Sequence, residues 1–157
     1  MSRKLNGWTI VVVLSVLVLG ACSNPVEQKD DHHDDIVGVE VTTMNGNPLA
    51  TYAGGVWTVS GGDALHLHVG EDDDVRIFFL ADDGDRIQLP VSGADLTLRV
   101  VIEHPAIASF QADAADHGHF RGLAEGETTA IIQAYHGSHP DFETRPGLPI
   151  EVVDHDH

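Results

Sequence analysis

From Ile36 onward, apolar residues recur at every second position, and this period of two constrains the fold more than any other feature. Leu65 and Leu67 alternate with two histidines, and residues 96–102 repeat the alternation. Successive side chains of a strand point to opposite faces, whereas a helix needs apolar residues three or four positions apart. The pattern therefore predicts β-strands with one face in a core, and it indicates no long helix.

Eight or nine short strands fit the chain, separated by Gly, Pro and Asp clusters. The predicted strands are 37–41, 56–59, 65–69, 75–79, 96–102, 106–110, 117–123, 128–135 and 148–153. Strands of this length and spacing are typical of a β-sandwich or a barrel. We expect a single all-β domain over residues 36–153.

Residues 1–21 have the organisation of an export signal. Arg3 and Lys4 precede the apolar run 8–19, and Leu19-Gly20-Ala21-Cys22 follows directly. A run this short does not reach the roughly 20 residues that a membrane-spanning helix needs. The final tetrad resembles the lipobox of bacterial lipoproteins, which implies that Cys22 is lipidated and anchors the chain to a membrane. An ordinary secretory signal with an incidental cysteine, or an N-terminal anchor helix, remains the alternative.

Cys22 is the only cysteine of the chain, so the domain can form neither an internal disulfide nor a thiolate metal site. Ser23 beside it resembles the sorting signal that directs lipoproteins of Gram-negative bacteria to the outer membrane. We therefore expect a lipid-anchored protein of the cell envelope, on the periplasmic or the surface face of the outer membrane.

The charge balance is strongly acidic, with 25 Asp and Glu against 8 Lys and Arg. Such a field repels phosphate backbones and attracts cations, which argues against a nucleic-acid partner. Residues 22–35 contain almost nothing that could enter a core and predict a disordered tether. The tether carries His32 and His33, and the tail 154–157 carries His155 and His157. We read both runs either as weak metal-capturing segments or as solvated ends.

Residues 65–153 resemble the bacterial Ig-like domains of group 2. The residues that carry the resemblance are Leu67-His68-Val69-Gly70-Glu71, Ala81-Asp82-Asp83-Gly84, His104-Pro105-Ala106-Ile107-Ala108-Ser109-Phe110, Gly122-Leu123-Ala124-Glu125-Gly126-Glu127-Thr128-Thr129 and Ile150-Glu151-Val152-Val153. The resemblance implies an antiparallel immunoglobulin-like Greek-key sandwich. It implies no activity, because such domains serve as spacers, adhesin modules and binding platforms. The histidines depart from this family's pattern.

Two His-x-His pairs lie on predicted strands. His66 and His68 alternate with core residues, and His117 and His119 flank Gly118 before the predicted core residue Phe120. Alternation places the imidazoles of each pair on one outward face, where they could chelate Zn²⁺ or Cu²⁺. The alternative is that these histidines are simply exposed.

A third histidine cluster follows the predicted strand 128–135. Gly137, Ser138 and Pro140 predict a flexible loop in which His136, His139 and Asp141 turn toward one point. Two nitrogens and one oxygen suit zinc with an open fourth position, or a copper ion passed to another protein. His104, before Pro105, is a further possible ligand at a strand end.

Other chemistries find little support. Glu71 to Asp74 and Asp82 to Asp85 offer oxygens for calcium, but neither run has the spacing of an EF-hand loop. The stretch 65–69 resembles the His-x-His strand of copper–zinc superoxide dismutases, although the later histidine spacing differs. No Gly-x-Ser-x-Gly or His-Glu-x-x-His motif occurs. We therefore expect no enzymatic activity.

The sequence thus predicts a membrane-anchored lipoprotein that binds zinc or copper through histidine clusters for capture, buffering or delivery. Its expected partners are the membrane, the metal ion and a metal transporter or another surface protein. The alternative is a non-catalytic Ig-like adhesion or spacer module with incidental histidines.

Overall fold

A computed structural model describes residues 36–89, 96–114 and 117–154 of the chain. These residues belong to the second of the two units into which the chain divides, His32–His157. The predicted signal peptide, Cys22, the tether with His32 and His33, and the tail residues His155 and His157 lie outside the described residues. Within the described ranges, no helical segment has the length and hydropathy needed to cross a bilayer.

The described ranges contain twelve strands. They are β1 (Ile36–Thr43), β2 (Pro48–Ala53), β3 (Val56–Val59), β4 (Leu65–His68), β5 (Asp72–Ala81), β6 (Arg86–Ile87), β7 (Leu96–Ile102), β8 (Ala108–Ala114), β9 (His117–Gly122), β10 (Gly126–His136), β11 (His139–Glu143) and β12 (Leu148–Val153). The prediction of an all-β fold is confirmed.

The strands form two sheets that enclose one core, which makes the domain a β-sandwich. The seven-stranded sheet has the order β3-β2-β1-β5-β9-β8, with β6 beside β5. The five-stranded sheet has the order β11-β10-β12-β4, with β7 on the other side of β10. β4 and β9 therefore belong to different sheets, although a single bridge between Val69 and Gly122 links their ends.

One strand pair departs from the expected antiparallel arrangement, because β4 runs parallel to β12. A hairpin forces two strands to be antiparallel, but β4 and β12 are far apart in the chain and no hairpin joins them. β4 enters from β3 of one sheet and returns to β5 of the same sheet. Its direction is therefore independent of the strand beside it.

The core follows the predicted alternation. Leu67, Phe79 and Phe120 are fully buried, and Val75 and Ile77 share the inward face of β5. Burying one such side chain contributes about 1.5–3 kcal/mol. Because inward residues alternate with outward ones, the buried set fixes which side chains of β5 and β9 face solvent.

Two strand predictions need correction, and three of the twelve strands in the described ranges, β2, β6 and β11, were not predicted. Val37 is 48% exposed instead of facing the core, because a register shift between Ile36 and Gly38 breaks the alternation of β1. The predicted strand 106–110 begins later, as β8, after a turn in which Ile107 N–H donates to the His104 carbonyl. β2 was not predicted, and it pairs with β3 through a two-residue turn at Gly54 and Gly55, both with positive φ.

Candidate metal centre

The third histidine cluster forms the tip of a tight hairpin between β10 and β11, and the prediction of a flexible loop there is wrong. His136 and His139 are directly paired across the hairpin, so the connection consists of Gly137 and Ser138 alone. Gly137 has a φ of 57°, which matches the glycine preference of two-residue hairpin turns. The turn thus sets two imidazoles opposite each other on neighbouring strands.

A β-bulge delivers the third donor. Ala134 pairs with Phe142 and Tyr135 pairs with Pro140, which leaves Asp141 as the extra residue of β11. Bulges re-aim the side chain of the extra residue. Here the Asp141 carboxylate turns toward both histidines of the tip.

The distances at the tip suit a metal ion. His136 Nδ1 lies 3.3 Å from Asp141 Oδ2, and His139 Nε2 lies 3.1 Å from Asp141 Oδ1. One donor atom from each residue lies within 4.8 Å of the other two. Donors of a tetrahedral zinc ion with bonds near 2.0–2.1 Å stand roughly 3.3 Å apart. Small side-chain movements would therefore complete the coordination.

Aromatic packing holds β11 in place next to the donor carboxylate. Phe142 packs edge-on against Tyr52 at 6.2 Å and against Phe79 at 6.0 Å between ring centroids. Edge-to-face pairs at these distances are favourable beyond the area they bury. Because Tyr52 and Phe79 belong to the opposite sheet, Phe142 fastens the hairpin to the core.

Hydrogen bonds secure the chain directly after β11. Thr144 is fully buried and exchanges two bonds with Ile132 of β10, at 3.1 and 3.0 Å. The Tyr52 hydroxyl donates to the Arg145 carbonyl at 2.8 Å, and the Arg145 N–H donates back to it at 3.2 Å. The base of the hairpin is consequently rigid, while its tip is open to solvent.

Glu143, the other carboxylate of β11, is engaged elsewhere. Its side chain accepts hydrogen bonds from Arg145 Nε at 2.7 Å and from Gln133 Nε2 at 3.1 Å. These bonds, the one from Arg145 first, hold the pKa of Glu143 below its ordinary value. Asp141 is therefore the carboxylate of this strand that serves the tip.

The first His-x-His pair does not form such a group. On β4, His66 Nδ1 lies 3.2 Å from Glu151 Oε2 of the neighbouring strand. His68 interacts electrostatically with Asp73, whose pKa is raised by burial and, next, by the Glu71 carboxylate. No set of three donors in coordination range includes His66 or His68 among the residues that the structure describes.

Only one histidine of the second His-x-His pair belongs to a group of three possible metal donors. His119 belongs to a group with Asp74 and Asp113, and the three donor atoms again lie within 4.8 Å of one another. His117, at the start of β9, belongs to neither three-donor group of the described residues. The sequence interpretation missed Asp74 and Asp113 as partners of His119, because their contact depends on which strands lie side by side.

His104 lines a groove on the five-stranded sheet. The groove has a volume of about 600 Å³. Its ionisable lining residues are Asp63, His66, Glu103, His104, Glu127 and Glu151. His66 and His104 thus share one acidic groove, but in the described ranges neither has two further donors close enough to hold a single ion.

Comparisons with known proteins leave the function open. No family model matches the chain, and no curated protein matches it. Domains 5 and 6 of the S-layer protein SbsC are similar in structure over 59% of this chain and 41% of theirs, at 15% identity and a TM-score of 0.42. Domains 4 and 5 of SbsC cover 73% of this chain and 70% of theirs, at 12% identity and a TM-score of 0.43. The chain thus spans less than half of the first of these structures, and neither likeness bears on function.

Proposed function

We propose that this β-sandwich is held at a membrane of the cell envelope and binds Zn²⁺ or Cu²⁺ at the tip of the β10–β11 hairpin. The observation that supports the metal site is the approach of His136, His139 and Asp141 donor atoms to within 4.8 Å of one another.

The support for membrane anchoring is the lipobox-like tetrad ending at Cys22. A Cys22→Ser chain that still partitions with membranes would argue against the lipid anchor.

The donor set indicates the class of metal. Two imidazole nitrogens and one carboxylate oxygen suit zinc or copper, whereas calcium and magnesium prefer oxygen donors alone. Three protein donors leave a fourth position for water or for a donor of another molecule. With His139 67% exposed, the ion can enter and leave without any unfolding, which suits capture, buffering or delivery to a transporter or another surface protein.

The competing interpretation is that the two histidines only form ion pairs with Asp141. Exposed pairs of this kind contribute about 0–1 kcal/mol to stability, and the domain would then be an adhesion or spacer module with incidental histidines. The two functions differ in one measurable property. A metal site binds the ion with a defined stoichiometry that depends on His136 and His139, whereas incidental pairs do not.

The deciding experiment is calorimetric titration of the full chain, in detergent micelles, with Zn²⁺ and with Cu²⁺ at pH 7.5. We expect roughly micromolar or tighter binding for at least one of the two ions, and weakening as the pH falls toward 5, because ligand imidazoles must be neutral. The variant His136→Ala/His139→Ala should bind at least about tenfold more weakly, since two of three protein donors are lost.

Matched variants separate the hairpin from the remaining histidines. His66→Ala/His68→Ala removes two imidazoles from β4, and His32→Ala/His33→Ala removes two from the acidic run before β1. Both should keep the affinity of the tightest site. Equal binding by the hairpin variant and the unchanged chain would refute the proposal.

A further inference from the structure

A second group of donors lies on the solvent face of the seven-stranded sheet, away from the hairpin. Phe120 is buried, so His119 beside it faces outward. In the register of the sheet, Asp74 of β5 pairs with His119 of β9, and His119 pairs in turn with Gln111 of β8. Three adjacent strands therefore contribute to one row of polar side chains.

A β-bulge again supplies a carboxylate. Ala112 pairs with Gly118 and Ala114 pairs with His117, which leaves Asp113 as the extra residue of β8. Its side chain is turned along the row, and Asp113 Oδ2 lies 2.8 Å from His119 Nδ1. As at the hairpin, the extra residue of a bulge is an aspartate aimed at a histidine.

Two carboxylates of this group lie close together. Donor oxygens of Asp74 and Asp113 lie within 4.8 Å of each other and of His119, and two like charges at that distance repel. Arg121, the next outward residue of β9, is engaged by Asp72, with Nη1 3.3 Å from the carboxylate. Arg76 lies on the same face, two residues along β5 from Asp74.

From this geometry we infer a second metal site, formed by Asp74, Asp113 and His119, which binds a divalent cation of the Mn²⁺ class. Two carboxylate oxygens and one nitrogen are a harder donor set than that of the hairpin, and carboxylate-rich sites suit manganese. Asp74, His119 and Asp113 lie on three neighbouring hydrogen-bonded strands, so the fold brings the donors together before any ion binds. Its existence does not depend on metal binding at the hairpin.

Mn²⁺ itself is the probe, because the free ion gives an electron paramagnetic resonance signal that is lost on binding. The full chain is titrated with Mn²⁺ and the free ion is counted. We expect one equivalent to bind, and we expect Asp74→Asn/Asp113→Asn to weaken that equivalent at least tenfold. Asp113→Asn alone, which removes one negative charge from the site, should weaken it less and serves if the double variant does not fold.

Two controls isolate the site. Asp82→Asn/Asp85→Asn removes the same formal charge from the exposed turn after β5 and should leave Mn²⁺ binding unchanged. His136→Ala/His139→Ala should also leave it unchanged, which distinguishes this site from the hairpin. The inference is overturned if the unchanged chain binds no Mn²⁺, or if Asp74→Asn/Asp113→Asn weakens Mn²⁺ binding no more than the turn variant does. The second result would mean that general negative charge holds the ion.

Discussion

The β10–β11 hairpin and strand β4 each present two closely spaced histidines, but they use them differently. In the hairpin, His136 and His139 face each other across two strands, and a bulged aspartate completes a group of three donors. On β4, His66 and His68 follow each other along one regular strand, and His66 contacts Glu151 instead. The donor atoms of a possible metal site therefore come together through cross-strand pairing and a bulge, and not through the spacing of histidines along the chain.

The largest effect is expected from removing the aromatic contacts that hold the hairpin to the core. Phe142→Ala should destabilise the domain by about 3 kcal/mol, since large aromatic side chains leave cavities of that cost, and urea unfolding measures the loss. Calorimetry on the folded variant should show weaker Zn²⁺ binding, because β11 carries two of the three donors. Phe142→Leu keeps most of the packing and should lose less of both. Unchanged affinity in a destabilised Phe142→Ala chain would show that the tip is organised by its turn alone.

The turn itself gives the next test. Gly137 has a φ of 57° and no atom near the position of an added Cβ, so Gly137→Ala introduces backbone strain of roughly 1 kcal/mol without a clash. We expect a matching loss of stability and several-fold weaker Zn²⁺ binding, with partial recovery in Gly137→Asn because asparagine tolerates this conformation. Gly46→Ala, at a φ of 84° and equally open, should lose stability without losing metal. A similar loss of metal binding in both alanine variants would contradict the role of the hairpin turn.

Much of the fold was predictable because burial follows alternation. Phe120 and the inward face of β5 were predicted from the period of two alone, and both are buried. β2 was missed because Ala50 and Tyr52 provide its buried face with one small and one partly polar residue. β11 was missed because its His, Pro and Asp residues are typical of loops. It forms a strand because the two-residue turn before it pairs it with β10.

The candidate sites were less predictable, for a physical reason. His136, His139 and Asp141 are close in the chain, so local geometry could bring them together. Asp74 and Asp113 reach His119 through the pairing of β5 and β8 with β9 and through a bulge. A one-residue register shift of this kind leaves no periodic signal in a single sequence.

The smallest expected effect separates the two carboxylates of β11. Because the pKa of Glu143 is lowered in the folded state, its ionised form stabilises the domain above its ordinary pKa of 4.5, and this contribution is lost as the pH falls through the lowered pKa. Glu143→Gln should therefore lower the melting temperature slightly at pH 7, by less than Gly137→Ala does, and the difference should disappear in acid. Zn²⁺ binding should stay unchanged, because Arg145 and Gln133 occupy this carboxylate. If Glu143→Gln instead weakens Zn²⁺ binding as Asp141→Asn would, then Glu143 is also a ligand. Asp141 would then not be the only carboxylate of β11 that binds the ion.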